Sequence, residues 1–210
     1  MEILNEIAAL IERGEDEKVG SITQSAVDQS IEAATILNGG LIAGMQVVGE
    51  RFGAHEIFLP DVLLAARAMN VGLKVLEPHL SQADVVTRGK VVIGTVQGDL
   101  HDIGKNLVGI MLAGAGFEVI DLGKDVSPEK FVDTARESGA DVIGMSALLT
   151  TTMPVMKQVV SLLKERGLDA SVRTVIGGAP VTEEYAREIG ADAYGFDAAN
   201  AVERVRALVG

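Results

Sequence analysis

Beyond residue 88, short Val/Ile-rich runs alternate with stretches of helical periodicity, and no other feature restricts the fold of this chain so tightly. The apolar runs fall at 90–96, 117–122, 141–146, 173–176 and, more weakly, 193–195. Helical patterns occupy about 105–114, 128–138, 153–166, 182–189 and 198–208 between and after them. Strands that alternate with single helices are joined by crossovers, and crossovers are right-handed. The expectation is an α/β unit with a doubly wound, five-stranded parallel sheet of flavodoxin-like order.

The first part of the chain has only the helical period. Ile3, Leu4, Ile7, Leu10 and Ile11 repeat at the spacing of one helix face. A second helix is expected from about Ile22 to Leu37, ended by Asn38-Gly39-Gly40 as a C-terminal stop. A third runs from Leu41 to Phe52. The fourth begins at Leu59-Pro60, where a first-turn proline loses no hydrogen bond, and reaches about Leu76. Four amphipathic helices with brief connections imply a four-helix bundle over 1–78. The polar segment that follows Glu77-Pro78 reads as a linker over 79–88, and the α/β unit as 89–210.

In an open parallel sheet, ligands bind where the strands end. The first run leads into Gly98-Asp99-Leu100-His101-Asp102-Ile103-Gly104, the third into Ser146-Ala147-Leu148-Leu149-Thr150-Thr151-Thr152, and the fourth into Gly177-Gly178-Ala179-Pro180. Each alone is an ordinary turn or helix cap. At successive strand ends they form a pocket, with glycines that let a ligand approach the backbone. Asp99 and His101 are two residues apart, so in extended backbone their side chains share a side. A carboxylate on one ring nitrogen fixes the tautomer and leaves the other nitrogen as a metal ligand.

Composition excludes several alternatives. The 210 residues include 30 acidic and 18 basic ones, a net charge of −12, which opposes nucleic acid and anionic membranes as partners. With no cysteine and 3 histidines, disulfides, iron–sulfur clusters and a zinc hydrolase site are all unsupported. The glycines of the first loop do not make a dinucleotide fingerprint or a phosphate loop. An acidic amphipathic start, with no apolar run near the ~20 residues of a membrane span, implies a cytoplasmic protein.

Asp99-x-His101-x-x-Gly104, Ser146-x-Leu148 and Gly177-Gly178 together resemble the signature of cobalamin (corrinoid) binding domains. Gly44-Met45, Val48-Gly49, Phe52 and Phe58-Leu59-Pro60 resemble the helical cap that precedes this domain in cobalamin-dependent methionine synthase and in the small corrinoid proteins of methylamine, methanol and methoxy-aromatic methyltransferase systems. The resemblance implies a cobalamin or related corrinoid cofactor, with the nucleotide tail off the cobalt and buried in the α/β unit. It makes His101 the lower cobalt ligand, Asp99 its hydrogen-bonded partner and Thr152 the hydroxyl of the triad. It assigns the loop residues Asp102, Ile103, Gly104 and Leu148 to the cofactor, and Ser146 and Thr150 to the base of the tail, with room left by Gly177 and Gly178. Phe52 and Leu59 would shield the methyl-bearing face, and a hinge would lie within 77–88.

The function so implied is a methyl carrier that is not catalytic alone. It would work between a substrate-specific methyltransferase and an acceptor methyltransferase, with a reductive activator as a further partner. Two relatives of the same fold are the alternatives. A cobalamin-dependent sensor needs a DNA-binding module and a surface less acidic than this one. The small subunit of an adenosylcobalamin mutase shares the histidine loop but lacks the helical cap.

Overall fold

The computed structural model describes residues 2–80 and 87–210. The expected linker at 79–88, and the hinge within 77–88, fall largely on residues 81–86 and so lie outside the described residues. The chain divides into a helical unit, Met1–Thr87 with Gly114–Gly116, and an α/β unit, Arg88–Ala113 and Phe117–Gly210. Among the described residues no helix is long and apolar enough to cross a membrane.

In the helical unit, α1 (Glu2–Glu12) and α2 (Asp16–Asp28) are followed by α3 (Ala33–Ile36), a π-helical turn (Leu37–Ile42), α4 (Ala43–Gly53) and α5 (Leu59–Leu76). The core is aliphatic: Ile7, Ile11, Val19, Ile36, Leu41, Val62 and Leu76 are buried. Pro60 stands in the first turn of α5, and the Asp61 carboxylate accepts from the Phe58 N–H at 2.8 Å, fixing where that helix starts.

Two sequence expectations need correction. The second helix starts at Asp16 rather than near Ile22, and it ends before Ser30, which takes a φ of 60°. Asn38-Gly39-Gly40 does not stop a helix. α3, the π turn and α4 run on as one helical segment, because Gly40, like Gly44 after it, is needed for close approach to α1 and not for a left-handed turn. A Cβ on Gly40 would lie 3.0 Å from Ile7 Cγ2, and one on Gly44 would lie 2.8 Å from both the Ala8 oxygen and Ile11 Cβ. The widened π turn accommodates the extra residue that brings both glycines against α1.

The α/β unit is a five-stranded parallel sheet of order β2-β1-β3-β4-β5, the flavodoxin-like arrangement. Its strands are β1 (Lys90–Thr95), β2 (Glu118–Asp121), β3 (Val142–Ser146), β4 (Arg173–Gly177) and β5 (Ala193–Gly195). Its helices are α6 (Ile103–Gly114), α7 (Pro128–Ser138), α8 (Pro154–Glu165), α9 (Glu183–Ile189) and α10 (Ala198–Val209). Val92, Ile143, Met145 and Ile176 point to one face, where they pack with Phe131, Met156, Leu163 and Ile189 from α7, α8 and α9. The residues between them, Ile93, Gly144, Ser146, Val175 and Gly177, point to the other face, beside α6 and α10. That second face sets two glycines and a serine beside Ile93 and Val175, and a cleft lies over it.

The glycine assignments can be tested by substitution. Gly44→Ala pushes a Cβ into α1 and should lower the stability of the helical unit by about 1–3 kcal/mol. Gly39→Ala meets only the flexible end of Leu4, at 3.2 Å, and gains helix propensity. It should be neutral or stabilising by up to about 1 kcal/mol, as read from chemical denaturation. A loss of stability in Gly39→Ala would mean that the helix does end there.

Candidate functional site

β1 leaves the sheet through Val96, which bridges to Val126, and a tight turn at Gln97 and Gly98, the latter with a φ of 82°. The turn is held from the neighbouring loop. Asp125, itself in left-handed backbone at 58°, accepts from the Gly98 N–H at 2.7 Å and donates its own N–H to the Asp99 carbonyl at 3.2 Å. This positions Asp99, whose side chain is 0% exposed.

The Asp99 carboxylate accepts five hydrogen bonds. Oδ1 receives the His101 backbone N–H at 3.1 Å and the ring Nδ1–H at 2.7 Å. Oδ2 receives the N–H groups of Leu148 and Leu149, at 2.7 and 3.1 Å, and the Thr152 hydroxyl at 3.0 Å. Burial alone would raise this carboxyl's pKa. The bonds from Leu148, from the His101 side chain and backbone, and from Thr152 outweigh it and hold the group far below the usual carboxylate range. An ionised carboxylate has no proton to give, so the proton in the contact with Nδ1 belongs to the ring. A ring proton of His101 is thereby placed on Nδ1, which leaves Nε2 as the nitrogen available to a metal. The ring's backbone is held too, because the Thr95 hydroxyl donates to the His101 carbonyl at 2.9 Å.

The outer side of the histidine is open, with 54% of its side chain exposed. Leu100, Ile103, Leu148 and Leu149, from the same two loops, are also exposed. Beside this surface a cleft of about 330 Å³ opens between the sheet and α6 and α10. Gly104, Ser146, Gly177 and Gly178 line it. Gly178 is indispensable to its backbone, because with φ at 121° a Cβ would fall 1.9 Å from the Ala147 oxygen. Lys105 also borders the cleft, its buried ammonium paired with Asp121.

The expected site residues thus separate into groups. Asp99, His101 and Thr152 meet in one hydrogen-bond network, joined by the Leu148 backbone. Ser146, Gly104, Gly177 and Gly178 surround the cleft. Ile103 stands exposed at the first turn of α6, and the Asp102 carbonyl accepts from Asn106 N–H at 2.8 Å to begin that helix. Thr150 is exposed and is not among the residues lining the cleft. Phe52 and Leu59 belong to the helical unit, near the end of α4 and at the start of α5, both partly exposed. Sequence reasoning did not single out Gly144, Val175, Val108 or Ala201, which complete the cleft wall. Their only signal is small size on one face of known register.

The network makes Thr152 a sensitive probe. Its hydroxyl is 3.0 Å from Asp99 Oδ2 and 2.8 Å from the Leu149 carbonyl, so one proton serves two acceptors. Thr152→Val should lower the stability of the α/β unit by about 1.5–3 kcal/mol, the value of a hydrogen bond to a charged group. Thr152→Ser keeps the bond and should cost under about 1 kcal/mol. Equal losses in a denaturation series would show that packing of the methyl group, and not the hydrogen bond, matters here.

Residues 89–206 match the B12 binding domain family, and residues 3–77 match a second family also described as a B12 binding domain. A corrinoid protein of Desulfitobacterium hafniense is 44% identical, over 100% of this chain and 99% of its own length. The trimethylamine corrinoid protein of Methanosarcina barkeri is 44% identical, over 99% of this chain and 97% of its own. The crystal structure of the methanol:cobalamin methyltransferase complex MtaBC of Methanosarcina barkeri contains a chain with a TM-score of 0.91 and 32% identity, covering 99% of this chain and 80% of that one. The chain belongs to the corrinoid protein family, and its cofactor is cobalamin or a related corrinoid.

Proposed function

We propose that this protein carries a methyl group on a corrinoid cobalt between partner methyltransferases, with His101 Nε2 as the lower axial ligand. The observation that carries the reading is the single imidazole bonded through Nδ1 to the buried Asp99 carboxylate, its ring half exposed among four exposed apolar side chains beside the cleft. One imidazole is a sufficient protein ligand only where the metal brings its other ligands with it, as a corrinoid does. Among the described residues no group of three His, Asp or Glu side chains could hold a bare ion. When bound, the corrinoid supplies a cobalt atom that takes up a methyl group and later releases it.

The chain's own residues have separable tasks. Asp99 orients the ring and keeps its proton on Nδ1, and Thr152, Leu148 and Leu149 orient Asp99. Leu100, Ile103, Leu148 and Leu149 offer apolar contact to a flat macrocycle. The cleft beneath Ser146 and Gly177 takes the nucleotide tail, and Phe52 and Leu59 are assigned to the methyl-bearing face. The partners are a substrate-specific methyltransferase, an acceptor methyltransferase and a reductive activator. The methanol:cobalamin methyltransferase complex supports this reading, as its description ties that neighbour to a methyltransferase, and the trimethylamine corrinoid protein is named for a methylated amine.

Gly104 supplies an independent argument. It lies in the first turn of α6 with ordinary helical backbone, and a Cβ there would meet nothing within 4 Å. Nothing in the protein itself accounts for a residue that weakens a helix, whereas a ligand lying close to the backbone does. Gly104→Ala should therefore leave the fold unchanged or stabilise it by up to about 1 kcal/mol, while weakening corrinoid binding about tenfold or more through overpacking.

The direct test is the visible spectrum after incubation with hydroxocobalamin and gel filtration. Wild type should retain a stoichiometric corrinoid whose axial-ligand bands change in His101→Ala. A wild-type protein that emerges colourless would refute the assignment of the site. An unaltered spectrum in the variant would leave the carrier reading but remove His101 from the cobalt.

A further inference from the structure

The cleft in the α/β unit has its polar side chains at the mouth, beside the exposed ring of Phe196, and only hydrocarbon side chains at its floor. Strand register separates the two levels. Ser146 pairs with Gly177 and Gly177 with Gly195, and this row lies at the C-terminal edge of the sheet. Ile93, Gly144 and Val175 form the next row on the same face, two residues and about 6.5 Å deeper. Val108 of α6 adds further aliphatic lining, and Ala201 of α10 packs against Gly195 of the mouth row. The backbone groups of the floor are committed to the ladders between β1, β3 and β4.

Three polar side chains line the cleft: Lys105, Ser146 and Asp197. Two are already engaged. The Lys105 ammonium is paired with Asp121, and the Asp197 carboxylate caps α10 by accepting from the Asn200 N–H at 2.7 Å. Asp197 also follows the end of β5, on the mouth side. Ser146 is left as the hydroxyl with no hydrogen-bond partner among the described residues, and it too is at the mouth. Gly144 keeps the floor open, since a Cβ there would lie 3.2 Å from Ile93 Cγ2.

We propose that this cleft selects corrinoids whose lower base is a benzimidazole over those with a purine base. The inference rests on the proposed burial of the nucleotide tail. In both tails the sugar is joined through a nitrogen of the five-membered ring, so the six-membered ring enters first and meets the floor. In a benzimidazole that ring is hydrocarbon and matches Ile93, Val175 and Val108. The remaining imidazole nitrogen stays at the level where Ser146 can donate to it. Adenine has the same outline but carries two ring nitrogens and an amino group on its six-membered ring. Those groups lose their water at the floor and find no partner there, which should weaken binding by about tenfold or more.

The experiment titrates the whole protein by absorbance with three corrinoids: 5,6-dimethylbenzimidazolyl cobamide, adenyl cobamide and tail-less cobinamide. The benzimidazole form should bind about tenfold or more tighter than the adenine form, and tighter than cobinamide. Equal affinity for the two tailed forms, with both tighter than cobinamide, would overturn the selection while leaving the tail in the cleft. Cobinamide binding as well as both would instead overturn tail burial itself. A failure of all three to bind would overturn the corrinoid site. Val175→Thr keeps the side-chain outline and adds a hydroxyl at the floor, so it should narrow the preference at least about threefold. If Val175→Thr does not fold, Val108→Thr supplies the hydroxyl from α6. An unchanged preference in a folded floor variant would overturn the proposal, because the floor would then not be the source of selection.

Discussion

One buried carboxylate organises the α/β unit's functional edge. Asp99 is removed from water, a costly place for a charge, and it is tolerated because five donors converge on its two oxygens. Those donors come from two loops about 50 residues apart, so the same ion that orients His101 also ties the end of β1 to the end of β3. The carboxylate cannot donate, and this fixes the proton on Nδ1. The identity of the free nitrogen is therefore decided by charge and burial before any metal is present. The Asp125 brace on Gly98 and on the Asp99 carbonyl brings a third loop into the same arrangement.

The glycines divide by what surrounds them, and the division separates packing from function. Gly40 and Gly44 have α1 where a side chain would be, and Gly178 has the Ala147 carbonyl. Each is explained inside the protein. Gly104 is not: its Cβ would enter open space beside the cleft. Gly177 and Gly195 line the cleft but are also explained inside the protein, since a Cβ would fall 2.8 Å from the Gly195 oxygen in the one case and 2.8 Å from Ala201 Cβ in the other, whereas at Gly144 it would lie 3.2 Å from Ile93 Cγ2. The opposite face of the same strands carries Val92, Ile143, Met145 and Ile176 and is tightly filled. One sheet thus has a core side and a ligand side, set by alternation along its strands.

Much of this was legible in the sequence because it rests on local periodicity. The strand runs and the helices between them follow from pattern, and the Asp99–His101 pairing follows from spacing two. The failures share a different origin. Asn38-Gly39-Gly40 has the composition of a helix stop, yet tertiary contact with Ile7 and the neighbouring turn of α1 decides its conformation. The backbone N–H groups of Leu148 and Leu149 carry no side-chain signature, so their role on Asp99 appears only once the two loops are adjacent. The floor of the cleft depends on register, which places Gly144 opposite Ile93 and Val175. No single stretch of sequence contains that relation.

The exposure of the site's apolar rim completes the physical argument. Leu100 and Ile103 are 64% and 74% exposed on either side of His101, and Leu148 and Leu149 stand on the facing loop. Large apolar side chains grouped around a ligand nitrogen are costly to leave in water, and such groupings mark surfaces that are covered when the protein works. A hydrated metal ion would not cover them, being small and polar. A flat macrocycle with an apolar edge would, and its metal would arrive with the in-plane ligands that the protein does not supply. Under the proposed function, the histidine nitrogen, the open rim and the adjoining cleft would receive three different parts of one ligand: its metal, its apolar disc and its tail. A corrinoid has all three at once.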